Sequence, residues 1–354
     1  MRPCGQHGWV RQTVAAVRWA GENGLSVVSS TGVAGWDLIT AVASDMRLPL
    51  TLFLISSEKD WERNCREASR EFDLEPSLTR FIPVVAKGGR GDRRSLMQVR
   101  DDLVCNCADL ILPVAIGRKG SMRGRLERAR AQGIAVDERF LCQLPDSSGP
   151  VGYKLDRDGL TDEVASQSDE FFVHWTRAAN GPWPDERCLD YWRSVVSSDA
   201  YPRSGFETLR HIVASRRIIA SSRHLRKETM AVGFSDLPPR EAVKLMRYRA
   251  RYREMSFEPY GVALRKRAGL ALGIEPVVYT SGAAAGSSEV DLWRLQSIGR
   301  RSDWRGEREF RVPRDVDLRR VAARDLVLFT RYRSEAELLS AETGFRAIPF
   351  FENE

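Results

Sequence analysis

Over the first 140 residues, short apolar runs alternate with longer stretches of helical spacing. The runs at 25–28, 50–55, 81–85, 110–114 and 134–136 are brief and unalternated, as strands buried on both faces are. Between and before them, residues 10–20, 36–46, 60–71, 92–106 and 121–131 carry the helical pattern. Alternation of this kind predicts an α/β domain, a parallel sheet with helices on both faces. Ligands of such sheets bind beyond the carboxyl ends of the strands.

The first apolar run leads straight into Ser29-Ser30-Thr31-Gly32-Val33-Ala34-Gly35, and a helix follows. Small residues between a strand and a helix start let a phosphate approach the free amides and positive dipole end of the helix. Ser30, Thr31, Gly32, Gly35 and Asp37 are therefore the expected ligand-binding residues. Two further Gly-rich loops follow the third and fourth runs, and both are basic. One holds Lys87, Gly88, Gly89 and Arg90, the other Gly117, Arg118, Lys119, Gly120 and Ser121. Gly88, Gly120 and Ser121 join the expected anion site, because all three loops fall on the same sheet edge.

The pattern changes after residue 142. Residues 143–170 are polar and rich in turn formers, which predicts a linker between a first domain at 1–142 and a second at 171–354. The second domain reads as α+β with smaller strands. Strand-like runs lie at 171–175, 217–220, 230–234, 260–264, 276–279, 309–312 and 325–329, and Asp236, Pro238 and Pro239 suit a helix start.

Composition narrows the function classes. At 354 residues, 42% hydrophobic and 29% charged, the chain fits a two-domain globular protein. It contains no run of about 18 apolar residues and opens without an apolar segment, so a cytoplasmic protein with no membrane partner is expected. The six cysteines form no CxxC pair, and no HExxH motif or His/Cys cluster has metal-ligand spacing, so no metal is expected. The four histidines sit near no Gly-x-Ser-x-Gly elbow. Net charge is +7, and the arginines crowd two segments of the second half. Arg247, Arg251, Arg300 and Arg301 are the residues there expected to meet nucleic acid. Interleaved acids such as Glu241, Glu254, Asp303 and Glu307 fit a salt-bridged surface equally.

The strand, the loop with Gly32, Gly35 and Asp37 in Gly-x-x-Gly-x-Asp spacing, and the helix resemble the SLOG superfamily. That superfamily includes the DprA-like and lysine-decarboxylase-like Rossmann domains. Asp109-Leu110-Ile111-Leu112-Pro113-Val114 followed by Gly120-Ser121 is also similar to its members. The resemblance covers residues 5–140 and implies a Rossmann-like fold whose Gly-rich loop takes a nucleotide phosphate. The PGGxGTxxE signature of the phosphoribohydrolases is missing. A sensing role therefore fits better, with NAD or another nucleotide as ligand, as in SLOG domains of bacterial defence proteins.

The second domain resembles bacterial abortive-infection proteins in three segments, 172–176, 233–238 with 260–264, and 304–312. More distantly it is similar to ADP-ribosyltransferases such as the DarT toxins. That similarity implies an early strand with His174, a middle segment with Tyr260, and a late strand with Glu309 or Glu307 as the carboxylate. Breaking the nicotinamide–ribose bond builds positive charge on the ribose, which a facing carboxylate stabilises. Two residues apart in a strand, Glu307 and Glu309 would share a face with Arg311. His174 also fits a core histidine bonded to a carbonyl, and the two glutamates also fit ion pairs with Arg305, Arg308 and Arg311. Three functions remain open. The chain is an antiphage effector controlled by a nucleotide, a DNA-binding or DNA-modifying protein, or a non-enzymatic gated binder. A homo-oligomer or a defence-system partner protein is compatible with each.

Overall fold

The computed structural model describes residues 2–85, 93–117, 121–143, 155, 158–222, 225, 229–249, 254–281, 291–298, 303 and 305–353. Gly88, Gly120, Arg251, Arg300 and Arg301 lie outside the described residues. The chain divides into two compact units, 1–148 with 185–202, and 149–184 with 203–354.

The first unit runs α1 (Gly8–Glu22), β1 (Val27–Ser30), α2 (Ala34–Asp45), β2 (Leu50–Ile55), α3 (Trp61–Phe72), β3 (Thr79–Val84), α4 (Arg93–Asn106), β4 (Leu110–Ile111), α5 (Met122–Ala131) and β5 (Ala135–Val136). Strands β1, β2 and β3 form a parallel sheet in that order, while β4 and β5 form a separate parallel pair. The central strand β2 is covered on both faces, Leu52 and Leu54 on one and Phe53 with Val84 and Val104 on the other, which is why it reads as an apolar run, while β3 is largely half-exposed. Leu38 of α2 and Leu52 of β2 are fully buried in the sheet's core with Val10 of α1.

A later helix completes that core. Within the second unit's stretch of sequence, α6 (Asp162–Ala165) and β6 (Phe171–Trp175) precede α7 (Cys188–Ser197). Residues 185–202, α7 included, return to the first unit. There Leu189, Trp192 and Val195 join Val10 and Leu38, and Trp192 meets Trp9 edge-on at 6.2 Å. The expected boundaries at 142 and 171 thus differ from the compact units. Residues 185–202 carry an apolar stripe that the first sheet needs, and residues 161–164 are part of the second unit's core. There Thr161 and Val164 are buried, and Thr161 Oγ1 donates to the Pro349 carbonyl at 2.6 Å.

The second unit continues with α8 (Gly205–Ser215), β7 (Arg217–Ile218), β8 (Val232–Ser235), α9 (Pro239–Ala242), β9 (Tyr248–Arg249), β10 (Glu254–Met255), β11 (Gly261–Arg265), α10 (Lys266–Ala271), β12 (Glu275–Pro276), β13 (Val278–Ser281), β14 (Leu295–Ile298), β15 (Glu309–Val312), β16 (Val316–Asp317), β17 (Leu326–Tyr332), α11 (Arg333–Thr343) and β18 (Arg346–Phe351). Seven strands form one sheet in the order β12-β15-β8-β6-β11-β17-β18, antiparallel except for the β17–β18 pair. Its faces follow from alternation. Phe172, Phe234, Val262, Leu264 and Leu328 pack with Leu209 and Ile212 of α8 and Leu339 of α11. Phe171, Val173, Ala263, Val327 and Phe329 form the other face, with Val164 and Met246. Among the described residues no helix is long and apolar enough to cross a membrane.

Candidate functional site

In the first unit, β1 ends at Ser30 and α2 begins at Ala34, so the loop between them stands at the carboxyl edge of the parallel sheet. Gly32 has φ +87, a conformation that glycine adopts without the penalty a side chain brings. Val33, extended at φ −143, caps the helix without a side-chain bond. The only first-turn carboxylate, Asp37, reaches back and accepts the Gly32 N–H at 2.8 Å. The first-turn amides of Ala34, Gly35 and Trp36 take no partner among the described residues. Among the described residues nothing lies within 4 Å of a Cβ built on Gly32 or Gly35.

Arg100 of α4 supports the loop from beneath and is 2% exposed. It donates to the Thr31 carbonyl at 3.1 Å and to Asp101 through Nε and Nη2 at 3.0 and 2.8 Å. Asp101 also accepts from the Trp36 indole at 3.2 Å, which fixes the first turn of α2 against α4. Burial pushes the Asp37 carboxyl up to about 6, with the Gly32 N–H and Arg100 pulling the other way. The expected ligand residues therefore divide. Gly32 and Gly35 have room for a Cβ among the described residues, and the Thr31 carbonyl is held by Arg100. The Ser30 hydroxyl is fully buried and donates to the Phe53 carbonyl at 2.7 Å, toward β2 and away from the loop. Asp37 spends its carboxylate on the loop itself. Ser121 stands before α5, where its hydroxyl accepts from Arg125.

In the second unit, His174 and Glu309 do not converge. Val173, Ser235 and Glu309 are register partners across β6, β8 and β15 and share one face. His174 is one residue on from Val173 and points to the opposite face, where its ring meets Phe234 at 5.8 Å. The β6–β8 ladder holds one register pair, and the His174 imidazole bridges these strands, its Nδ1 lying 2.8 Å from the Gly233 carbonyl. Burial lowers its pKa against the effect of that bond, so the ring is neutral at pH 7, Nδ1–H donates and Nε2 is an acceptor. Nε2 has no hydrogen bond among the described residues.

Glu309 is held by Arg311, whose Nε and Nη2 reach its two oxygens at 2.7 and 3.0 Å. Arg311 is 3% exposed and also donates to the Trp293 carbonyl and to Gln296 Oε1, at 3.0 and 2.6 Å. Glu307 lies in a 3₁₀ turn, not in the strand, and accepts from Arg249 at 3.0 Å. Burial pushes its carboxyl up, Arg249 and Arg247 oppose this, and Glu309 adds to it. Tyr279 of β13 completes the group. Burial raises its hydroxyl's pKa while a hydrogen bond from the Glu309 backbone lowers it. A half-buried carboxyl with a raised pKa beside a second, ion-paired carboxylate has the electrostatic form of an acid–base pair.

Tyr260 stands apart from this group. Its hydroxyl donates to Glu335 at 2.8 Å, and its ring fills the space where a Cβ on Gly205 would lie, 2.5 Å away. That contact fits α8 onto β11. Arg247 bonds through its backbone to Ser256, and Arg249 is spent on Glu307. Sequence reasoning missed Tyr279 and Gln296 and read Arg249 only as part of an arginine-dense segment; the three come from three strands with no shared motif. Among the described residues no group of His, Cys, Asp or Glu could hold a metal ion. No protein-family model, no curated protein and no solved structure matches the chain.

Proposed function

We propose that the first unit is a Rossmann-like, SLOG-type domain that binds the phosphate of a nucleotide, NAD or a relative of it, at the start of α2. One observation carries this: the amides of Ala34, Gly35 and Trp36, which take no partner among the described residues, stand at the carboxyl edge of a parallel sheet. The aligned peptide dipoles add about half a positive charge at that point. Gly35→Glu tests it. A Cβ there meets nothing within 4 Å among the described residues, and an acid in the first turn suits the helix, so the variant should fold as wild type. It should abolish nucleotide binding in titration calorimetry. Wild-type affinity in the variant would remove the proposal.

The nucleotide is the signal in a bacterial antiphage defence protein, and the second unit is its ADP-ribosyltransferase-like effector. The specific support is Glu307, a carboxyl pushed toward protonation beside the fixed charge of Glu309. In this assignment Glu309 faces the developing charge on the ribose and Glu307 holds the proton. His174 serves the fold by fastening β6 to β8. Incubation with NAD and candidate acceptors, with and without nucleotide, reads the activity directly. Glu307→Gln and Glu309→Gln should lose nicotinamide release while His174→Gln keeps part of it. Equal turnover in all three would exclude the carboxylate pair.

A further inference from the structure

A groove lies within the second unit, away in sequence from the α2 loop. Helices α8 and α11 border this groove of about 530 Å³, with Trp183 at its margin. A space of that size admits a small ligand. The Trp183 and His211 rings stack at 4.0 Å with an interplanar angle of 11°. The Arg203 guanidinium lies 4.0 Å from the same Trp183 ring. Two groups this close to one ring centre cannot share a face, so Trp183 is sandwiched between the arginine and the histidine. Its indole N–H donates to Thr208 Oγ1 at 3.2 Å, which fixes the ring's rotation. The result is a rigid, flat aromatic wall, and Val213, Ala214 and Leu339 give the groove an apolar floor.

The charged lining is unequal. Arg210 is bound by Glu207 and Glu342, at 3.2 Å and 2.6 Å. Arg216 lies over the Phe345 ring at 4.4 Å and has no carboxylate partner among the described residues. The groove thus offers an aromatic wall, carboxylate oxygens able to accept from amino groups, and one guanidinium, Arg216, with no carboxylate partner among the described residues. We propose that it binds a nucleoside monophosphate, the base against the His211–Trp183 wall and the phosphate on Arg216. Stacking on aromatic side chains tolerates any base, and Arg recognises the phosphate with a planar fork.

The test uses the full chain and three probes, AMP, adenosine and ribose 5-phosphate, titrated by calorimetry in a Gly35→Glu background that silences the first unit's loop. AMP should bind more tightly than either fragment. His211→Ala and Arg216→Gln should each weaken AMP about tenfold or more. His211→Phe should restore binding, because it keeps a flat ring, which a merely structural histidine would not predict. Absence of AMP binding in the Gly35→Glu background, or AMP affinity unchanged by both His211→Ala and Arg216→Gln, overturns the proposal. Failure of the α2 site leaves this result intact, since that loop is already blocked in every arm.

Discussion

Asp37→Asn is the substitution that most sharply probes the α2 loop. The carboxyl's ordinary value of 3.8 rises to about 6 in the fold, chiefly because burial disfavours its charge. Above about 6 the folded state holds a charged group that water would solvate better. Below 3.8 both states are protonated and the cost is gone. Stability is therefore fully present below 3.8 and is lost as pH rises through about 6. The interval corresponds to about 3 kcal/mol at 1.36 kcal/mol per pH unit, and residual solvent screening reduces it to about 1–3 kcal/mol. Asparagine keeps an oxygen for the Gly32 N–H and carries no charge. Asp37→Asn should accordingly stabilise the first unit by about 1–3 kcal/mol at pH 7.5, and the gain should fall by about half at pH 5. Guanidinium unfolding at both pH values measures this. The same variant should bind phosphate ligands more tightly at pH 7.5, because the competing negative charge is gone. A gain that is equal at the two pH values, or a loss at pH 7.5, would refute the electrostatic argument.

Other outcomes follow from particular contacts. Arg311→Met leaves Glu309, Gln296 and the Trp293 carbonyl without their buried donor and should cost about 3–5 kcal/mol in denaturant unfolding. A double-mutant cycle with Glu309→Gln should recover part of that loss, and strict additivity would show the pair to be uncoupled. Gly205→Ala drives a Cβ to within 2.6 Å of Glu258 Oε2 as well as into Tyr260, so the second unit should unfold at a lower temperature. Cys188 has its thiol pushed up to about 12, chiefly by burial, whereas Cys107 is exposed. A thiol reagent at pH 8 should therefore label Cys107 early and Cys188 last, as peptide mapping would show.

The first sheet was legible because period carries its signal. A buried parallel strand is short and apolar, and β2 stands at 50–55 as its run predicts, while β1 and β3 overlap their runs with starts displaced by two residues. The return of α7 was not legible, because Leu189, Trp192 and Val195 fit any helix face and the partner sheet lies over a hundred residues earlier. The small residues at 29–35 marked the open loop. They did not show that Ser30 turns toward Phe53, since a hydroxyl's direction depends on which strand pairs beside it. In the second unit Glu309 and Arg311 were placed on one face by their spacing, and they pair there. The expected partnership of His174 with Glu309 depended on strand order and register. Once β8 lies between their strands, the parity of Val173, Ser235 and Glu309 sends His174 to the other side. Glu307 left the shared face because the chain turns at Arg308, which has φ +47.

Amide resonances of the isotope-labelled full chain, followed while NAD, ADP-ribose or ATP is added, test the phosphate site most directly. Ala34, Gly35 and Trp36 should shift together and saturate with at least one of these ligands, while Ser30 moves little. Three unmoved amides, with binding seen elsewhere or not at all, would contradict the proposed site.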